Sequence, residues 1–195
     1  MADAIALSAL RLLGIIMATR LLLELTTLYQ QSHRHYHSLP HIADMLHQGR
    51  HLTLDEVQVM AIWFHDAIYD PRSKTNEEDS AALAGDRLRA AGWVTRDVER
   101  VQRIVLDTKL HHPTTAGADV VLDLDLMSLA VEWPQFAANT LSIRAEYAHV
   151  SDSDFAAGRT AFFANMLQRE RLFYSPFGQT LEARARANLR RASRS

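Results

Sequence analysis

Apolar residues recur along most of this chain at intervals of three and four rather than two. Val57, Ala61, Phe64 and Ile68 form one such series, and Val98, Val101, Ile104 and Val105 another. That spacing gathers side chains on one face of an α-helix. Glycine and proline fall between the periodic runs, at Pro40, Pro71, Gly92, Pro113 with Gly117, Pro134, and Pro176 with Gly178. The pattern predicts helices near residues 4–18, 20–31, 39–49, 54–68, 76–91, 95–110, 120–130, 134–148, 152–169 and 178–192. No alternating run is long enough to specify a strand. The expected fold class is therefore all-α, with residues 1–195 as one helical domain, since neither a repeat nor a linker divides them.

Local chemistry supports several helix starts. Ser38 precedes Leu39-Pro40, which suits an N-cap followed by a proline that needs no amide donor. Thr53 with Glu56, and Thr75 with Glu78, have capping-box spacing. Residues 5–25 are rich in Leu, Ile and Ala, but Arg11 and Arg20 leave apolar stretches well short of the roughly 20 residues of a membrane span. Asp3 and the lack of an early basic residue speak against a signal peptide. An amphipathic core helix is expected there, with a partner-contacting element over about residues 1–19 as the alternative.

Composition narrows the function. A hydrophobic fraction of 48% is ample for a core, and a net charge of −2 gives no global pull toward nucleic acid or anionic membrane. The absence of cysteine excludes disulfides and thiolate zinc sites and suits a cytoplasmic location. Arg184, Arg186, Arg190, Arg191 and Arg194 crowd the C-terminal segment without interleaved aromatics, so a solvated, ion-paired face is expected rather than a nucleic-acid surface. The unusual feature is ten histidines, six of them between His33 and His51.

Four segments place histidine and aspartate in apolar surroundings: Tyr36-His37-Ser38-Leu39-Pro40-His41, Phe64-His65-Asp66, Thr108-Lys109-Leu110-His111-His112, and Leu122-Asp123-Leu124-Asp125-Leu126. A buried ionised carboxylate is expensive unless it is paired, hydrogen-bonded or bound to a cation. One divalent ion offsets several such costs at once, and imidazoles with carboxylates suit zinc, manganese, iron, nickel, cobalt or magnesium. Asp123 and Asp125 lie on roughly opposite helix faces and cannot readily share one ion.

This combination resembles the HD superfamily of metal-dependent phosphohydrolases, in particular a group of small bacterial proteins described as predicted members of it. The resemblance runs from about Leu21 to Arg191. It is carried by Arg34 to Ile42, Phe64 to Asp70, Asn76-Glu77-Glu78 with Ser80-Ala81, Leu122 to Leu126, Ile143 to Tyr147, Gly158-Arg159 and Ala185 to Leu189. It implies a bundle of orthogonal helices around a buried metal site ligated by His41, His65, Asp66 and Asp125, with Asp123 as a cap or supporting residue. By similarity to cyclic-nucleotide phosphodiesterases, His37 becomes the general acid. Asp66 becomes a candidate acceptor of the water's proton, and Glu77 or Glu78 the residue that orients that water. The group usually has Asn where this chain has Ser38. His111 lies where some HD proteins recruit a second metal, and a substrate contact is the alternative.

By charge alone, Lys109, Arg144 and Arg159 are candidate phosphate contacts, each with a structural ion pair as the competing role. His33, Arg34 and His35 are expected to border the site, and His47, His51, His112 and His149 to be solvated. The function these readings imply is metal-dependent hydrolysis of a nucleotide or another small phosphate ester. The alternatives are a di-iron oxygenase and a non-catalytic metal- or nucleotide-binding regulator. No membrane partner is expected, and a homo-oligomer is compatible with the sequence.

Overall fold

The periodic runs fold as helices. The computed structural model describes residues 17 and 19–194, among which no strand occurs. The expected helix over 4–18, with its partner-contacting face, lies almost wholly outside the described residues. Helix α1 covers residues 19–29. It is followed by α2 (Leu39–Gly49), α3 (Glu56–Phe64), α4 (Asn76–Ala90), α5 (Thr95–Thr108) and α6 (Ala118–Leu126). A 3-10 turn (Met127–Ala130) leads into α7 (Trp133–Glu146), α8 (Asp152–Gln168), the short α9 (Pro176–Gln179) and α10 (Glu182–Ala192). Among the described residues, no helix is long and apolar enough to cross a membrane.

The helix starts show where local rules yielded to backbone geometry. Ser38 is the N-cap of α2 with proline in the first turn, as expected, but its hydroxyl bonds the Tyr36 carbonyl at 3.3 Å instead of a helix amide. Helix α3 begins one cap later than expected. Asp55 accepts from the Gln58 amide at 2.8 Å while Gln58 Oε1 accepts from the Asp55 amide at 2.9 Å, a complete capping box. Thr53 is left-handed, with φ of 51°, and so is barred from the extended conformation of an N-cap. Thr75 does precede α4, yet its hydroxyl goes to Asp79 at 2.9 Å, and no capping box with Glu78 forms.

Helix α3 also ends early, at Phe64, although the apolar pattern runs on to Ile68. His65 and Asp66 therefore occupy the turn after the helix rather than its last turn. Ser80 of α4 fastens that turn, donating to the Ile68 carbonyl at 3.2 Å and accepting from the Ile68 amide at 3.0 Å.

Two apolar clusters form the interior. The first gathers residues of α1 to α6, with Val98, Val101, Ile104 and Val105 of α5 fully buried against Ala61, Phe64, Ala84 and Leu88. The second joins the 3-10 turn, α7, α8 and α10 through Leu129, Phe136, Phe163, Met166, Ala185 and Leu189. Helix α6 passes from one to the other: Leu124 belongs to the first cluster, Leu126 to the second, and Asp125 stands at the crossing. A cavity of about 730 Å³ opens there.

Asp123 faces the other way and is structural. Its carboxylate accepts from the Tyr174 amide at 2.9 and 3.1 Å and from the Ser175 amide at 2.6 Å, just before α9. Gly178 makes this approach feasible, because a Cβ there would meet Asp123 Oδ2 at 2.1 Å and Phe173 Cβ at 2.6 Å. Gly178→Ala is expected to cost about 1–3 kcal/mol or more, since neither the buried carboxylate nor the Phe173 stem can retreat freely. Urea unfolding checks this. A midpoint unchanged from the parent would show that the contact relaxes without cost.

Candidate metal centre

The loop before α2, the turn after α3, helix α6 and the loop after α5 meet around Asp125. His41, on the first turn of α2, and His65 are both buried. Ligand atoms of His41, His65 and Asp66 all lie within 4.8 Å of one another, so this cluster can hold a metal ion. Asp125 adjoins it, with Oδ1 at 3.1 Å from His41 Nε2 and 3.7 Å from His65 Nε2. Ligands bound at about 2.1 Å from a zinc-like ion stand roughly 3.0–3.4 Å apart, the separation of the His41–Asp125 and His65–Asp66 pairs, both 3.1 Å.

His65 gives the sharpest test of fit. Its Nδ1–H donates to the Ile62 carbonyl at 2.9 Å, which fixes the ring and leaves Nε2 as the free nitrogen. That Nε2 is sealed from solvent and makes no hydrogen bond, although Asp66 Oδ2 lies 3.1 Å away, off the bonding direction. A buried ring nitrogen held beside two carboxylates with no hydrogen-bond partner suits a metal-ligating histidine. The residues present fit a divalent cation.

Without a cation, protons take its place. Burial pulls the His65 imidazole down, but the Asp66 and Asp125 carboxylates outweigh it and lift the group to about 9. Burial likewise raises Asp66 and Asp125, yet the surrounding imidazoles win. His65 and His37 hold Asp66 well below the carboxylate range, and His111, His41 and His65 do the same for Asp125. A metal ion held there would have to displace the His65 proton.

His111 is brought in by strained backbone. It follows α5 with φ of 47°, a left-handed conformation that favours glycine. Arg169 holds the carbonyls of Leu110 and His111 at 2.8 and 3.1 Å, and Asp107 ties down Thr114 through its amide and hydroxyl at 2.8 and 2.7 Å. The result places His111 Nε2 3.0 Å from Asp125 Oδ2. Asp125 thus presents one oxygen to His41 and His65 and the other to His111.

A second constellation was not legible as a site in the sequence. Glu146, the last residue of α7, is buried under the loop that carries His37. Its Oε1 accepts from three consecutive amides, His35, Tyr36 and His37, at 2.9, 2.7 and 2.9 Å, a concave nest for an anion. Its Oε2 accepts from His37 Nδ1 at 2.7 Å and from the Tyr69 hydroxyl at 2.8 Å. Burial raises this carboxyl, but the His37 bond and the amides outweigh it and bring it down to about 2. For His37 burial lowers the pKa, while Asp66 and Glu146 more than reverse it, so it lies above the ordinary imidazole value.

Arg34 underpins the same loop. It is buried and donates to the carbonyls of His37, Asp66 and Ala67 at 3.1, 2.6 and 2.8 Å, locking the His37 loop to the His65-Asp66 turn. It borders the site, as expected, from behind the loop rather than from the cavity wall. His33 and His35 are not among the cavity-lining residues either, while His37, His65, Asp66, His111 and Asp125 are.

The remaining candidates divide. Glu77 lines the cavity and Glu78 does not. Lys109 lines it too, but its ammonium is held by Glu78 at 2.5 Å and the Lys74 carbonyl at 2.7 Å, with Glu77 3.7 Å away, so its charge is largely answered. Arg144 lies outside the cavity. It bonds Asp152 at 2.6 Å and the carbonyls of Tyr147 and Val150, bracing the turn between α7 and α8. Arg159 lines the cavity. His47, His51, His112 and His149 are exposed, as expected.

Comparison of the chain with protein-family models, with curated proteins and with solved structures finds no match in any of the three.

Proposed function

We propose that this protein is a metal-dependent phosphohydrolase of HD type that acts on a small phosphate ester in the cavity beside Asp125. The observation that carries the reading is the buried, unpartnered His65 Nε2 facing Asp66 and Asp125, with His41 completing the ligand set. His41, His65, Asp66 and Asp125 would hold a divalent ion, which when bound would lower the pKa of a water and neutralise charge on the phosphoryl oxygens.

His37 does the acid chemistry. Glu146 holds its Nδ1–H, so Nε2 is the nitrogen left to meet a leaving oxygen, and the neighbouring carboxylates raise its pKa above the ordinary imidazole value. The His37 and His41 ring centres are 6.4 Å apart, which puts the acid next to the ion's ligands without making it one of them. Glu77 is the acidic residue placed to orient the water, because it borders the cavity and Glu78 is engaged by Lys109. The cavity volume, about 730 Å³, lies in the range of small-molecule sites.

One observation favours a dinuclear variant. Asp125 turns Oδ2 to His111 at 3.0 Å while Oδ1 faces His41, the posture of a bridging carboxylate. The reading as a di-iron oxygenase rests on that posture, and two bound irons per chain with oxygen consumption would establish it.

Alanine at His37 separates the phosphohydrolase mechanism from adventitious metal catalysis. For an alkyl phosphate, whose leaving oxygen must be protonated, His37→Ala is expected to lower kcat about 100-fold or more. For 4-nitrophenyl phosphate, whose leaving group needs no proton, the loss is only a few-fold. Both substrates are assayed with manganese, zinc, nickel, cobalt, iron and magnesium in turn. Equal losses on both, or no turnover of either by the parent with any ion, contradict the reading.

A further inference from the structure

The mechanism above gives no task to Arg159. Besides the imidazole and carboxylate cluster, the cavity walls include the apolar Leu126, Leu129, Phe136, Ile143, Phe155 and Phe162, with Ser128, Asn139 and Thr140 as polar lining between them. Arg159 is set into this apolar lining, its guanidinium 5.1 Å from the Phe162 ring centre and 4.6 Å from that of Phe163. It makes no hydrogen bond or ion pair with any described residue, and its Nε is sealed from solvent. Other arginines of the molecule are answered: Arg34 by carbonyls, Arg144 by Asp152 and Arg186 by Glu182. Asp154, a cavity-lining carboxylate five residues earlier on α8, is exposed and accepts from the Ser151 hydroxyl at 2.7 Å.

A guanidinium offers donors in a planar fork and no acceptor. Held among aromatic and aliphatic side chains with no donor engaged, it is matched by an acceptor-only anion taken in two-pronged fashion. The apolar walls beside it match a carbon skeleton or a ring rather than a polyol.

We propose that this half of the cavity is a subsite for the remote end of the ligand: an apolar, preferably planar body that carries a carboxylate or phosphate and sets it on Arg159. As a description of the substrate this rests on the phosphoester reading, with the scissile phosphate at the metal centre and the second anion at Arg159. Small polyol phosphates, which lack both the apolar body and the second anion, are then poor ligands.

Calorimetry with two probes that carry no ester tests the subsite on the full chain. 2-Naphthoate is expected to bind at least tenfold more tightly than the neutral 2-naphthamide. Arg159→Gln brings the two within about twofold of each other, whereas Arg159→Lys, which keeps the charge, retains a preference for the anion. Asp125→Asn leaves that preference intact, because the carboxylate docks away from the metal centre. The proposal is overturned if neither probe binds the parent, or if both bind it equally. A preference that survives Arg159→Gln, that is lost as fully in Arg159→Lys, or that Asp125→Asn abolishes overturns it equally. Because no bond is cleaved, such a failure leaves the phosphoester reading standing. Naphthoate preference in a protein that hydrolyses no phosphoester would count against that reading alone.

Discussion

Replacing Asp125 with alanine is expected to lower metal affinity by more than about 100-fold and to bring phosphoester hydrolysis to background, while helix content stays at the parental level. Removing even a supporting residue of a metal site typically costs about 10–100-fold in affinity or activity, and Asp125 is proposed as a ligand itself. Its two oxygens face His41 and His111 at 3.1 and 3.0 Å, and it is the carboxylate that joins the His41 and His65 side of the cluster to the His111 loop. The helix itself has no need of it. Alanine is a better helix former than aspartate, and Leu122, Leu124 and Leu126 keep α6 anchored in the two apolar clusters. Circular dichroism and metal analysis after gel filtration read both halves. A variant that binds metal and turns over like the parent removes Asp125 from the site.

The second large effect is at Glu146, and it reads on both stability and activity. Alanine there leaves three amides, the His37 Nδ1–H and the Tyr69 hydroxyl without their acceptor. Losing one partner of a buried charged network costs about 3–5 kcal/mol. Glu146→Gln isolates the charge. The folded-state carboxyl is brought down to about 2, below its ordinary 4.5, so the charge stabilises fully above about pH 4.5 and its contribution fades as pH falls toward 2. The contribution at neutrality is on the order of 3 kcal/mol. Linkage then narrows the parent-to-variant gap by about 1.4 kcal/mol between pH 6.5 and 3.5. Unfolding curves for both proteins at the two pH values supply the measurement, and a gap that does not change with pH assigns the effect to shape instead of charge. Catalytically, Glu146→Gln should mimic a weakened His37, hitting alkyl phosphates harder than nitrophenyl phosphate.

What the sequence made legible follows from the range of the interactions. Helix placement depends on local periodicity, and Val98, Val101, Ile104 and Val105 are buried on one face of α5 as their spacing requires. Charge in an apolar context also survives folding: His65, which follows the fully buried Phe64, is itself buried, and Asp66 beside it opens onto the cavity. The chain does bring His41, His65 and Asp66 together, with Asp125 alongside.

The role of Glu146, and the bonding by which Arg34 borders the site, were not legible because their partners are distant in sequence. Glu146 binds amides about 110 positions away, and Arg34 reaches the carbonyls of a turn more than 30 residues on. The available signal was indirect. Phe136, Thr140, Ile143 and Tyr147 make a helical stripe along the cavity, and Glu146 is a carboxylate set beside that stripe. Arg144 is the opposite case, where the structural ion pair expected as its competing role is the one found. Its charge suggested phosphate, but Asp152, only eight residues on across a turn, takes it. The end of α3 was misjudged because buried turns are as apolar as buried helices, so periodicity does not mark where one gives way to the other.

The central claim is that the cradle now satisfied by protons is built for a cation. Titrating the chelator-treated protein with manganese at pH 7.5, in two buffers of different ionisation enthalpy, tests it most directly. His65, lifted to about 9 without metal, carries a proton at that pH and must give it up to become a ligand. The account predicts saturation at one ion per chain with close to one proton released for each ion bound. No binding of manganese or of any other divalent ion in the set, or binding with no proton transferred to buffer, would contradict it.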